Sequence, residues 1–351
     1  MEKVPLVNEP IKYFADYQRE WFKIVKPLKR DRYIVQSTSE LSIHGDAPKC
    51  FLRIKEYQEG LWTDRQRKWP KYIAKVGSKW YPVESITEQL ITRIGQVCGF
   101  NVADSKLRMV GSQVRFLSRF FLRRAESLTH GIEIFQEDFG KEMVQDIAAE
   151  RLERDFYTFN VVVSSLQRAF PTESNQIVRD LVRMLVFDAI IGNNDRHPAN
   201  WGVITSIKQS IPSRFSPIFD TARGMFWNMT EERIRNRLAN PVELESYIDM
   251  SGPQIGWEGR VKLNHFQLIS LIYVNFPQYQ DSIRVATLLV NFDECAKMIE
   301  EEFSPLLSSE RISLQFNVCV CERKNYARRL GWTRAETTVV TNVLGLETSL
   351  A

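Results

Sequence analysis

The feature that most constrains this chain is the segment 190–203, IIGNNDRHPANWGV, taken together with Asp220. An apolar helical pattern runs into the segment and a strand-like pattern runs out of it. Between them, on a loop, stand Asp195, His197 and Asn200, with Asp195 and Asn200 five residues apart. Phosphoryl transfer needs an acidic group to orient the attacking hydroxyl, and oxygen ligands to hold magnesium against the phosphates. Residues 201–205 and 215–219 both read as strands. Paired as a hairpin, they would set Asn200 beside Asp220, close enough to share a cation. The tripeptides NND and PAN alone are ordinary turn material. The combination of Asp, Asn, hairpin and Asp is what points to a magnesium site.

At 351 residues the chain can bury a large core and should form one two-lobed domain or two domains. A net charge of +4 is mild for this length, so no dedicated nucleic-acid surface is expected. No apolar run approaches a membrane span and MEKVPLVNEP has no signal-peptide core, so no membrane contact is expected either. Cys50, Cys98, Cys295, Cys319 and Cys321 are odd in number and scattered, which suits a reducing, cytoplasmic setting better than a disulfide framework.

Along the chain, aromatic residues at 13–22 suggest an amphipathic helix. Residues 42–49, SIHGDAPK, place a Ser/Gly loop and Lys49 ahead of a strand at 50–57, an arrangement that can lie over phosphates or spell an ordinary turn. Residues 71–77 alternate as a strand around Lys75, which needs an anion if it is buried. Residues 85–99 read as a helix with Ser85 as N-cap, Glu88 either completing a capping box or pairing with Lys75, and Gly99 closing it. Two strands at 106–110 and 113–122 follow. A sheet with one helix inserted after its lysine strand is the layout of a kinase N-terminal lobe. From about residue 123 the pattern turns helical, with one long stretch at 145–170, a break at Pro171 and a helix at 175–191. Later helices are expected at 264–274, 281–292 and from 310, with a basic run at 322–334 read as a solvated face. Asp138 opens a DFG triplet, but it precedes the Asp195 loop, the reverse of kinase order. Asp138 therefore reads as structural.

These residues resemble the HipA-type serine/threonine kinases of bacterial toxin–antitoxin systems. SIHGDAPK looks like that family's phosphate loop, with Ala47 in place of its glutamine, and IAKVG supplies the nucleotide lysine Lys75. Residues 87–107 are similar to the helix that carries the lysine's partner, here Glu88. LSRFFLR resembles the adenine hinge around Arg119 and Phe120, and IFQEDFG the family's QEDF signature. NNDRHPAN and FDTARG carry over Asp195, Asn200 and Asp220.

The resemblance implies an α+β, two-lobed protein-kinase-like fold, with a β-rich N-lobe over 1–122 and a mostly helical C-lobe over 123–351. It implies catalytic roles for Asp195, Lys75 and Glu88. ATP would be bound by Ser42, Ile43, Gly45, Lys49, Lys75, Arg119, Phe120, His197, Asn200 and Asp220, and Mg2+ by Asn200 and Asp220. Ser42 matches the serine whose autophosphorylation switches such kinases off. The implied partners are a protein substrate, such as an aminoacyl-tRNA synthetase or a host protein, and an antitoxin; the implied location is the cytoplasm, or a host cell after export. The family's extra N-terminal subdomain is expected to be absent. The DRHxxN order also resembles phosphatidylinositol 3- and 4-kinases, and a non-catalytic kinase-fold binding module is a further alternative.

Overall fold

The structure, a computed structural model, describes residues 21, 23–36, 49–57, 62–77, 81–111, 113–206, 211–260, 262–288 and 290–315. Ser42, Ile43 and Gly45, the aromatic residues before Trp21 and the basic run 322–334 lie outside the described residues.

Strands β1 (Tyr33–Gln36), β2 (Lys49–Ile54), β3 (Lys71–Val76), β4 (Ser105–Val110) and β5 (Gln113–Arg119) form an antiparallel sheet in the order β1-β2-β3-β5-β4. Successive side chains of a strand point to opposite faces. One face buries Tyr33, Cys50, Leu52, Ile54, Tyr72, Ala74 and Leu117 as a cluster of its own. The alternate residues Lys49, Phe51, Lys75 and Phe116 therefore share the other face, with Lys49 paired to Lys75 and Lys75 to Phe116 across the ladders. Helix α1 (Glu84–Val97) crosses from β3 to β4 and buries Ile86, Leu90, Ile91 and Ile94.

Two expectations change here. Helix α1 begins at Glu84 after Val83, with no side-chain cap, so Ser85 is inside the first turn and the capping box does not form. Glu88 is left for another partner. Strand β5 ends at Arg119, three residues before the expected 122, where its backbone turns away along Asp104 and Lys71. Gly99 does close the helix, at φ +72°, where a side chain would be strained.

The rest is mostly helical: α2 (Gly131–Phe139), α3 (Lys141–Ala149), α4 (Glu153–Phe156), α5 (Phe159–Ala169), α6 (Ser174–Ile191), α7 (Glu231–Ala239), α8 (Pro241–Met250), α9 (His265–Asn275), α10 (Gln280–Leu288) and α11 (Phe292–Phe303). Helix α6 is the axle: thirteen of its eighteen residues are buried, so it is packed on all sides rather than along one stripe. The single helix expected at 145–170 is three. Arg151 takes a left-handed conformation at φ +59°, and Thr158 starts α5 by accepting the Val161 N–H at 3.4 Å. The helix expected over 281–292 ends at Leu288, and the next, α11, starts at Phe292 with Asn291 as its N-cap.

A small sheet was not foreseen in full. β6 (Glu126–His130), β7 (Gly202–Ser206) and β8 (Arg214–Phe215) pair antiparallel in that order. The β7–β8 hairpin exists, but β8 covers two residues and does not reach Phe219. Instead Ile218 leaves the hairpin and bridges to Val102 beyond α1: its N–H donates to the Asn101 carbonyl at 2.7 Å, and its carbonyl accepts the Ala103 N–H at 2.9 Å. This bridge lays the residues before Asp220 against the chain that follows α1.

Candidate active site

Lys75 is nine-tenths buried and its ammonium donates to Glu88 Oε1 at 2.7 Å and to Asp220 Oδ1 at 2.9 Å. Three elements meet at that one nitrogen: β3, α1 and the segment after β8. Lys49 Nζ lies 3.7 Å from Asp220 Oδ2. Like charges directly opposite on a ladder repel, so the Lys49–Lys75 pair is a local cost that a shared anion offsets. Burial alone would lower the Lys75 ammonium, yet Asp220 and Glu88 outweigh it and hold it above the ordinary lysine value. Burial pushes the Glu88 carboxyl up to about 7, against the pull of Lys75, with the Asp220 charge adding to the rise. Asp220 is also penalised by burial, but Lys75 and Lys49 keep it well below the usual carboxylate range.

Asp220 has φ +55°, the left-handed region, which Asp tolerates better than most residues. Its position is set by the residues before it. Arg196, 1% exposed, forks onto Asp188, 0% exposed, with Nε to Oδ2 and Nη2 to Oδ1 both at 2.8 Å. The remaining nitrogen, Nη1, donates to the Asn200 carbonyl at 2.9 Å and the Phe219 carbonyl at 2.5 Å. One buried guanidinium thus ties together the two ends that a continuous hairpin was expected to align. Asn193, itself anchored to Asp188 at 2.9 Å, accepts the Asp195 N–H at 3.2 Å. Asn200 Nδ2 donates to the Asp195 carbonyl at 2.7 Å, which leaves Oδ1 as the atom the amide can offer a ligand.

Asp195 is half-buried. Burial raises its carboxyl above the usual value, while His197 and Arg223 pull it down. His197 is exposed and its Nδ1 accepts the Ala199 N–H at 3.3 Å, a brace within the loop. Arg119 and Phe120 stand at the end of β5. Their N–H groups donate to the Asp104 and Lys71 carbonyls at 2.7 and 2.9 Å, so a base docking there would meet other backbone groups of this edge. Phe219 packs against Phe121 with ring centroids 5.8 Å apart, an aromatic wall between this edge and Asp220. Asp138, by contrast, is taken up by Ser165 at 2.5 Å and by Arg168.

Magnesium demands six oxygens and keeps several from water and phosphate, with one or two from protein. One carboxylate at Asp220 and one amide oxygen at Asn200 suit that habit, and the Lys49–Lys75 pair suits a polyphosphate. Among the described residues no three His, Cys, Asp or Glu side chains form a metal cage.

Two residues at this site went unread in the sequence. Arg223 Nε lies 3.7 Å from Glu84 and 3.9 Å from Asp195, with its guanidinium 4.0 Å above the Trp227 ring. Asp188 was visible only as a charge on an apolar helix, which is itself the signal that a buried cation awaits it.

A lysine strand, a glutamate helix and an Asp…Asn…Asp set on a small hairpin sheet meet between the five-stranded sheet and the helices, the layout of a kinase-like fold. The chain belongs to the HipA-like C-terminal domain family, whose model matches residues 41–260. Among solved structures it is similar to the Helicobacter pylori proinflammatory kinase CtkA, at 16% identity and a TM-score of 0.67, over 88% of this chain and 99% of that one. It also matches HipA from the Shewanella oneidensis MR-1 toxin–antitoxin complex of HipA, HipB and operator DNA, at 16% identity and a TM-score of 0.41, over 92% of this chain and 76% of that one. No curated protein sequence matches the chain. Among the described residues no helix is long and apolar enough to cross a membrane.

Proposed function

We propose that this protein is an ATP- and magnesium-dependent serine/threonine protein kinase that transfers the γ-phosphoryl group to a protein hydroxyl. The observation that carries the reading is Lys75, held by Glu88 and Asp220 beside Lys49 on one sheet face. In this reading the lobes divide as 1–122 and 123–351. Bound magnesium would supply charge neutralisation between the phosphates, held by Asp220 and Asn200. Lys75 and Lys49 grip phosphate oxygens, and Glu88 keeps Lys75 in place. Asp195 orients the incoming hydroxyl and takes up its proton. His197 and the Arg119–Phe120 edge border the nucleotide, with Ser42, Ile43 and Gly45 covering its phosphates. Ser42 is the residue on which self-phosphorylation would place negative charge where the triphosphate must sit. A protein substrate and an antitoxin-like partner complete the reading.

The test is mass spectrometry of the purified chain after incubation with ATP and magnesium, beside Asp195→Asn. Phosphate on Ser42 in the natural chain, reduced by about two orders of magnitude or more in the variant, is expected. Phosphate appearing equally in both would remove Asp195 from the mechanism. Label passing to lipid but never to protein would replace the protein-kinase reading with the lipid-kinase one.

A further inference from the structure

Beyond Glu88 along its helix, α1 and α11 meet along a seam that the proposed chemistry does not use. Arg93 on α1 grips Glu302 on α11 with two hydrogen bonds of 2.9 and 2.6 Å. At the other end of the seam Cys98 Sγ and Cys295 Sγ approach to 3.4 Å. Both are thiols, 2% and 3% exposed, and they come from positions 197 residues apart in sequence. The two sulfurs face each other within S–H···S hydrogen-bonding distance. The sulfur pair sits at the start of α11, where Asn291 is the N-cap and Cys295 the fourth residue. The start of a helix favours a negative charge, and such sites activate cysteines.

We infer that Cys98 and Cys295 form an oxidative modification site that takes a small hydroperoxide when the seam opens locally and closes to a disulfide joining α1 to α11. The Cys98 thiol lies below its ordinary value: the contact with Cys295 lowers it, burial raises it, and the Asn291 N–H lowers it again. Of the two sulfurs, Cys98 is assigned the attack and Cys295 the resolving step. Its thiolate attacks the outer peroxide oxygen, the O–O bond breaks, and water or an alcohol leaves with a proton, giving Cys98 sulfenic acid. The Cys295 sulfur then attacks the Cys98 sulfur; the S–S bond forms and the hydroxyl departs as water with the Cys295 proton. Two thiols lose two electrons in total and the peroxide gains them. In a reducing compartment the pair returns to thiols by exchange with a small dithiol or glutathione, which suits a reversible mark rather than a structural staple.

The mark falls on the helix that carries Glu88. Cys98 lies ten residues along from Glu88, about 15 Å at the rise of an α-helix. Closing the bond would pin the far end of that helix to α11. This inference stands whether or not the chain is a protein kinase.

The test treats the natural chain with hydrogen peroxide, alkylates the remaining thiols and maps peptides without reduction. A linked pair containing Cys98 and Cys295, two hydrogens lighter than its parts and split by dithiothreitol, is expected. Cys295→Ala should lose the link and accumulate dimedone-reactive sulfenic acid on Cys98, whereas Cys98→Ala should show neither. A chain with Cys50→Ser, Cys319→Ser and Cys321→Ser should still form the link and unfold at higher urea after oxidation than before. The proposal is overturned if both thiols stay alkylatable at peroxide levels that oxidise the unfolded chain. It is equally overturned if Cys98 runs to sulfinic acid without a linked peptide, or if the links go to Cys319 or Cys321 instead. Should an alanine variant fail to fold, the peptide map of the natural chain decides alone.

Discussion

At the scale of single residues, the Lys75 site sets two carboxylates in opposite directions. Glu88 rises from an ordinary 4.5 to about 7. Between those pH values the folded chain keeps a proton that the unfolded chain has released, so stability falls as pH rises through this window. Asp220 is depressed below its ordinary 3.8, so its contribution is present above that value and is lost as pH falls beneath it. The two windows do not overlap. Urea unfolding at pH 5 and pH 7.5 should therefore separate them. The natural chain should lose up to about 3 kcal/mol between the two conditions through Glu88, and Glu88→Gln should remove that loss. Parallel pH curves for the two proteins would show that Glu88 ionises normally.

At the scale of elements, the small sheet is fitted around glycines. A Cβ on Gly131, where β6 meets α2, would stand 2.4 Å from Trp201 Cζ2, and one on Gly202 would stand 2.5 Å from the Thr129 carbonyl. Trp201 is 1% exposed and directly follows Asn200. Gly131→Ala is expected to cost about 1–3 kcal/mol, the usual penalty for overpacking, read as a lowered urea midpoint; an unchanged midpoint would mean that Trp201 can give way. Nothing in the sequence announced this packing. The lysine strand, the glutamate helix and the Asp195 loop were legible because each is a local pattern: an out-of-place charge, a helical stripe, a fixed spacing. The route to Asp220 was not, since it depends on Arg196 reaching Asp188, Asn200 and Phe219 at once and on Ile218 leaving the hairpin for Val102. Strand β6 was missed for a related reason, because ESLTH becomes a strand only when β7 lies beside it. At α1 the expected capping box is absent and Glu88 bonds Lys75, the other reading its position allowed.

At the scale of the whole molecule, the described chain closes on itself. The Trp21 indole N–H donates to the Leu306 carbonyl at 2.8 Å, across 285 residues of sequence. Trp21 is 2% exposed and belongs to the same core as α1 and α11. The two flanks of the fold are thus fastened to each other behind the glutamate helix. That closure gives the molecule a mechanical property. Tension applied at residues 23 and 309 should open this contact and peel α11 from α1, while at the other handle the load falls on residues 26–28, which pair with Met109 of β4. In an optical trap the first rip should release the length of α11 alone, and a single all-or-none rip would refute this order.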